Sequence, residues 1–272
     1  MTNQPEPNRR QQTQQTGGRM PVIFAPHGAP VLLDDGVWMN ELGAWAKAMP
    51  KPKSILMISA HWEERPTTLG ATRPVPLIYD FYGFPEKYYQ TTYPAPGAPE
   101  LATRVRELLE QKDIACADDA QRGLDHGAYV PLVAMYPMAE VPVLQVSIPG
   151  LVPDELARLG RALAPLRDEG VLIFGSGFLT HNMRHAFRPG IPSWAREFDA
   201  WTEDALSRLD LDALKDFQAK ATGAKLALPT WEHYAPVLVA AGAAAEERPR
   251  TTFPITGWWM DSAFTKRSVQ FG

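Results

Sequence analysis

Ser54 to Glu64 reads SILMISAHWEE, and the fold turns on this stretch. Ser54-Ile55-Leu56-Met57-Ile58-Ser59-Ala60 is almost wholly apolar and lies between Pro52 and the charged pair Glu63-Glu64, the pattern of a strand buried on both faces. His61 stands at its C-terminal end, where open α/β sheets collect ligands. A second apolar run, Pro21-Val22-Ile23-Phe24-Ala25, ends the same way at Pro26-His27-Gly28. Two strands that each deliver an imidazole to one sheet edge make half of a metal site.

Working outward, Trp38, Leu42, Trp45 and Met49 recur at helical spacing until Pro50 and Pro52 stop them, which predicts β-α-β. Pro74 to Pro99 is irregular and rich in Pro, Gly and aromatics, and reads as an ordered pocket wall. Leu101, Val105, Leu108 and Leu109 mark a helix, and Gly123 to Gly127 reads as a turn carrying His126. A short helix over Val130 to Tyr136, a strand over Val141 to Ile148 and a helix from Pro153 follow. The run Val171 to Phe174 is a further buried strand, and beyond it lies His181.

Trp194, Phe198, Trp201 and Leu206 predict a long helix, Leu209 to Ala219 another, and Val237 to Ala245 an apolar one. Thr251 to Thr256 and Ser268 to Phe271 read as edge strands. The fold class expected is α/β, a single domain over residues 21–272 with a central mixed, largely parallel sheet flanked by helices. The polar, Gln-rich residues 1–20 read as a disordered tail.

Composition narrows the chemistry. A net charge of -4 gives no reason to expect nucleic acid or a membrane surface as partner, and nothing in the chain fixes an oligomeric state. Cys116 is the only cysteine, so a transition metal must be held by nitrogen and oxygen, and the chain suits a reducing cytoplasm. Gly175-Ser176-Gly177 lacks the third glycine of a dinucleotide loop at Thr180, so no NAD is expected, and the sequence is no serine-hydrolase elbow. Tyr79, Phe81, Tyr82, Trp62 and Trp231 would serve equally as walls for an aromatic ring or as core filling.

Six histidines remain, and five of them, His27, His61, His126, His181 and His233, lie at predicted element ends beside Gly, Pro, Asn or acidic residues. Singly each is an ordinary structural histidine; together on one sheet edge they point to chemistry. His185, in a basic stretch with Arg184 and Arg188, reads as a surface residue.

The sequence resembles the class III extradiol ring-cleaving dioxygenases, in the branch that holds the 4,5-DOPA dioxygenases. The resemblance is carried by APHGAP at 25–30, SAHWE at 59–63, YDFYGFP at 79–85, YPAPG at 93–97, DHGAYVPL at 125–132, GSGFLTHN at 175–182 and EHYAPVL at 232–238. It implies one divalent metal ion held by His27, His61 and His233, with His181 as acid-base or fourth ligand and His126 orienting substrate. Relatives that cleave protocatechuate use a carboxylate as third ligand, so Glu232 competes with His233 for that role. The resemblance further implies a small aromatic diol and O2 as partners, no NAD or flavin, and a muconic semialdehyde-type product. Iron(II) suits that activity, whereas an all-imidazole set suits zinc. A zinc hydrolase and a non-catalytic metal-binding interaction protein are the competing expectations.

Overall fold

A computed structural model describes residues 19–272 apart from positions 187 and 248. The expected tail falls outside the described residues except for Arg19 and Met20, and Met20 is buried with its N–H donated to the Arg167 carbonyl.

The first half runs β1 (Val22–Pro26), α1 (Gly36–Ala48), β2 (Ser54–Glu63), β3 (Thr67–Leu69), α2 (Pro99–Glu110), β4 (Cys116–Asp118), α3 (His126–Met135) and β5 (Val143–Ile148). There follow α4 (Pro153–Leu163), β6 (Val171–Gly177), α5 (Ser193–Ser207), α6 (Leu211–Lys215), α7 (Phe217–Lys220), α8 (Ala224–Ala227) and α9 (Ala235–Ala244). The chain closes with β7 (Thr251–Thr252), β8 (Trp258–Trp259), β9 (Phe264–Thr265) and β10 (Val269–Phe271). Eight strands form one sheet in the order β4-β3-β5-β2-β6-β1-β10-β7. Its centre, β5-β2-β6-β1, is parallel, and antiparallel pairs appear toward the margins, at β3-β5, β1-β10 and β10-β7. This is the mixed, largely parallel α/β sheet expected.

Alternation along the strands divides the core in two. Val22, Phe24, Leu56, Ile58 and Ile173 face the layer of α2, α4, α5 and α9. Ile23, Ala25, Ile55, Met57 and Phe174 face α1 and α3. Both faces are therefore covered, which is why the central strands read as continuous apolar runs.

Helix α9 is apolar all round because it is buried all round, between the sheet and α4. Its close approach needs small residues. A methyl at Gly160 would meet the Val239 carbonyl, and one at Gly242 would meet the Ala157 carbonyl.

Three elements differ from the sequence reading. The final strand, β10, is interior, because β7 pairs outside it and takes the edge. His126 opens α3, since the Asp125 carboxylate caps the helix by accepting from the Ala128 N–H. The stretch expected as one helix over Leu209 to Ala219 is broken at Asp216 into α6 and α7. No helix among the described residues is long and apolar enough to cross a membrane.

Candidate metal and catalytic site

The C-terminal ends of β1, β2 and β6 adjoin in the parallel core, and each delivers a histidine. His27 follows β1, His61 lies near the end of β2, and His181 follows β6 after three intervening residues. His126 enters from the first turn of α3, and His233 from a short 3-10 turn, Glu232–Tyr234, that runs into α9.

Local bonds fix each position. The His181 N–H donates to the Ala227 carbonyl at 2.8 Å, and the next residue, Asn182, donates from its side chain to the Leu226 carbonyl at 2.7 Å. His233 is pinned through its carbonyl, which accepts the Phe178 N–H at 2.9 Å. Gly177 makes that contact: a methyl there would strike the His233 carbonyl. The glycines of Gly175-Ser176-Gly177 therefore serve close packing of β6 against the start of α9.

The rings of His27, His61 and His233 form a near-equilateral triangle, with centroids 4.9, 5.2 and 4.9 Å apart. One ligand atom from each lies within 4.8 Å of the others. The outer nitrogens are engaged. Ser176 donates its hydroxyl hydrogen to the Gly127 carbonyl, so it accepts from His27 Nδ1 at 3.1 Å. Glu232 Oε1 accepts from His233 Nδ1 at 2.9 Å, and Asp80 Oδ2 faces His61 Nδ1 at 3.4 Å.

Each imidazole is left with Nε2 as its lone-pair nitrogen. His27 Nε2 and His61 Nε2 stand 3.1 Å apart, close to the separation of about 3 Å for two nitrogens at right angles, each about 2.1 Å from a shared ion. Converging lone pairs with carboxylate or hydroxyl anchors behind them are the donor chemistry of a divalent metal, so the residues fit such an ion. The arrangement also bears on Glu232, which here braces His233 from behind.

Two further imidazoles flank the triangle. His126 donates through Nδ1 to Asp80 Oδ1 at 2.7 Å and through its backbone N–H to the same oxygen at 3.1 Å. Its ring centroid is 4.0 Å from that of His61. His181 stacks on His233, with centroids 3.5 Å apart and planes at 11°.

The electrostatics follow from crowding. Burial first, and the neighbouring imidazoles second, hold His27, His181 and His233 well below the ordinary histidine pKa. Burial and then His126 bring His61 down to about 4. Burial alone would raise Asp80, but the His126 hydrogen bond and the electrostatic influence of His126 and His61 outweigh it and carry the carboxyl down to about 2. His27, His61, His181 and His233 are thus neutral imidazoles beside an ionised Asp80, and neutral imidazole is the state that binds metal.

All five histidines open onto one cavity of about 310 Å³. Its walls are aromatic, from Phe81 and Phe84 in the irregular segment, Phe178 after β6, and Trp259 and Phe264 on the β8-β9 hairpin.

A model of the family described as the catalytic LigB subunit of aromatic ring-opening dioxygenase matches residues 21–261. The chain belongs to this family. The 4,5-DOPA dioxygenase extradiol of Beta vulgaris is 44% identical over 233 residues, covering 83% of this chain and 87% of that protein. The protein of the same name from Escherichia coli (strain K12) is 37% identical over 262 residues, covering 93% and 95%. The crystal structure of an uncharacterized protein, JW3007, from Escherichia coli K12 aligns with a TM-score of 0.79 at 33% identity, over 93% of this chain and 100% of that one. The resemblance read from the sequence is borne out, and the LigB-family chain is an oxidoreductase of the extradiol dioxygenase class.

In this LigB-family enzyme the structure gathers all five histidines singled out from the sequence. It leaves His185 apart, edge-on to Trp194 with centroids 5.2 Å apart. Of the five aromatics considered as ring walls, Phe81 and Tyr82 line the cavity. Trp231 packs instead against Phe217, and Trp62 lies under the Arg122 guanidinium. Sequence reasoning missed Asp80 and the β8-β9 wall. The Tyr79-Asp80-Phe81 motif held the only signal for Asp80: a carboxylate among aromatics in an ordered loop.

Proposed function

We propose that the chain is a metal-dependent extradiol dioxygenase that opens a substituted catechol, the ring that DOPA carries, into a muconic semialdehyde-type product. The observation that carries this reading is the triangle of His27, His61 and His233, with the outer nitrogens of His27 and His233 hydrogen-bonded and that of His61 facing Asp80, in an aromatic-walled cavity beside two further imidazoles. His27, His61 and His233 hold one divalent ion, iron(II) for this activity. Such an ion supplies a Lewis-acid centre, able to pass electrons, for the reaction of a diol with O2.

The chain's own residues do the rest. His181, neutral and partly exposed, takes the proton from one catechol hydroxyl and returns a proton as the ring opens. The ring stack on His233 holds its plane, and Glu232 Oε1 lies 4.0 Å from its Nδ1. His126, whose Nδ1 is committed to Asp80, presents Nε2 as an acceptor to the second hydroxyl and orients the diol. The aromatic walls exclude water from the opened ring.

Both atoms of O2 enter the product, so the overall reaction balances without NAD, flavin or an external reductant. The single cysteine suits a reducing cytoplasm. The test is product mass after turnover under 18O2 with iron-loaded protein. Two labelled oxygens in a ring-opened product are expected. A product carrying oxygen from water alone would overturn the reading.

A further inference from the structure

Beyond the imidazoles, the cavity wall offers no charge to a substrate. Among the described residues that line it, none is Lys, Arg, Asp or Glu. Ser262 is buried and its hydroxyl is committed, donating to the Trp259 carbonyl at 2.7 Å and accepting the Phe264 N–H at 3.5 Å. Arg184 and Arg188 are exposed and stand outside the lining. Three exposed side chains of the described lining are likewise apolar or uncharged: Tyr82 is 90% exposed, Met183 63% and Met260 58%.

The wall is also held firmly. The Thr265 N–H donates to Thr180 Oγ1 at 2.8 Å, which ties β9 to the residue before His181. Asp199 on α5 accepts from Thr265 Oγ1 at 2.7 Å and takes two bonds from Arg267, at 2.9 and 2.7 Å. A charged substituent entering between Phe84, Phe178, Trp259 and Phe264 would lose hydration and find no oppositely charged carboxylate, lysine or arginine among the described lining residues. Each methylene placed there instead gains about fourfold in binding.

We infer that the catechol this site takes carries an uncharged, apolar substituent, an alkyl or aryl group, in preference to an amino-acid or carboxylate side chain. The inference rests on the ring-cleaving reading above and narrows its substrate class. The cavity, near the lower end of the 300–1,000 Å³ usual for small-molecule sites, suits one ring with a short substituent.

The test compares 4-methylcatechol and 4-propylcatechol with L-DOPA and 3,4-dihydroxyphenylacetate on the full chain. Oxygen uptake is measured with iron(II)-loaded protein, and affinity by calorimetry with zinc-loaded protein. The expected result is that kcat/KM and affinity rise from methyl to propyl and that both charged catechols fall about tenfold or more below 4-propylcatechol. A charged catechol within that tenfold overturns the inference. If no catechol consumes oxygen, the affinities decide alone. The expected order would then keep the apolar site and remove the ring-cleaving reading, whereas its absence would remove both.

Discussion

The imidazoles of His181 and His233 lie face to face, with centroids 3.5 Å apart and planes 11° from parallel. Two stacked imidazolium rings would repel at that distance, so the pair cannot be doubly protonated, and burial favours the neutral form of both rings. The contact joins a proposed ligand to a proposed acid-base group. The two roles are separable by mutation.

His181→Ala is expected to lower kcat about a hundred- to ten-thousandfold, the range for loss of a general acid-base group, while bound metal stays at the wild-type level. Metal analysis and steady-state kinetics on the same preparation check this. Loss of metal would make His181 a ligand.

Glu232→Gln removes the carboxylate behind His233 Nδ1, where acceptor and donor stand 2.9 Å apart. The expected outcome is a metal affinity about 10–100-fold weaker, with the fold intact. Chelator competition measures it, and His233→Ala should lose the metal altogether. An unchanged affinity in both variants would remove His233 from the ligand set.

Asp80 braces two rings at once, through His126 Nδ1 at 2.7 Å and opposite His61 Nδ1 at 3.4 Å. Asp80→Asn keeps the shape but removes the charge and one acceptor oxygen. Activity should fall about 10–100-fold with little change in melting temperature. Full activity would show that the orientation of His126 is dispensable.

The buried imidazoles also set a pH dependence. Their folded-state pKa values are depressed, His61 to about 4 and His27, His181 and His233 well below the ordinary value of about 6.5. Below that value the unfolded chain binds more protons than the folded one, so metal-free protein loses stability as pH falls from about 6.5 toward 4. Melting temperatures across that range should decline steadily, and a His61→Asn variant should decline less. A flat profile would show that these rings are accessible to protons in the folded state.

Gly177→Ala drives a methyl toward the His233 carbonyl. Overpacking of this kind destabilises by about 1–3 kcal/mol and here displaces a proposed ligand as well. A lower melting temperature together with weaker metal binding is expected. Loss of stability with unchanged metal affinity would separate the packing role from the site.

Much of this was legible in the sequence, for identifiable reasons. Strands β1, β2 and β6 are buried on both faces, so they appear as unbroken apolar runs, and the histidines next to or near their C-terminal ends share an edge by the logic of a parallel sheet. His126 was harder, because its helix starts at an Asp cap inside a stretch that also reads as a Gly-flanked turn. Asp80 lies in irregular chain 46 residues from His126, and no periodicity links them. The wall made by Trp259 and Phe264 was not legible either, because β8 and β9 are two residues each, too short to leave a pattern. The interior place of β10 depends on a pairing with β7 that only the tertiary fold supplies.

The most direct test is oxygen uptake by metal-free protein reloaded anaerobically with iron(II) or with zinc, presented with a panel of catechols. The account predicts uptake matched to a new visible-absorbing product with iron and none with zinc. Absence of uptake with either metal across the panel would contradict it.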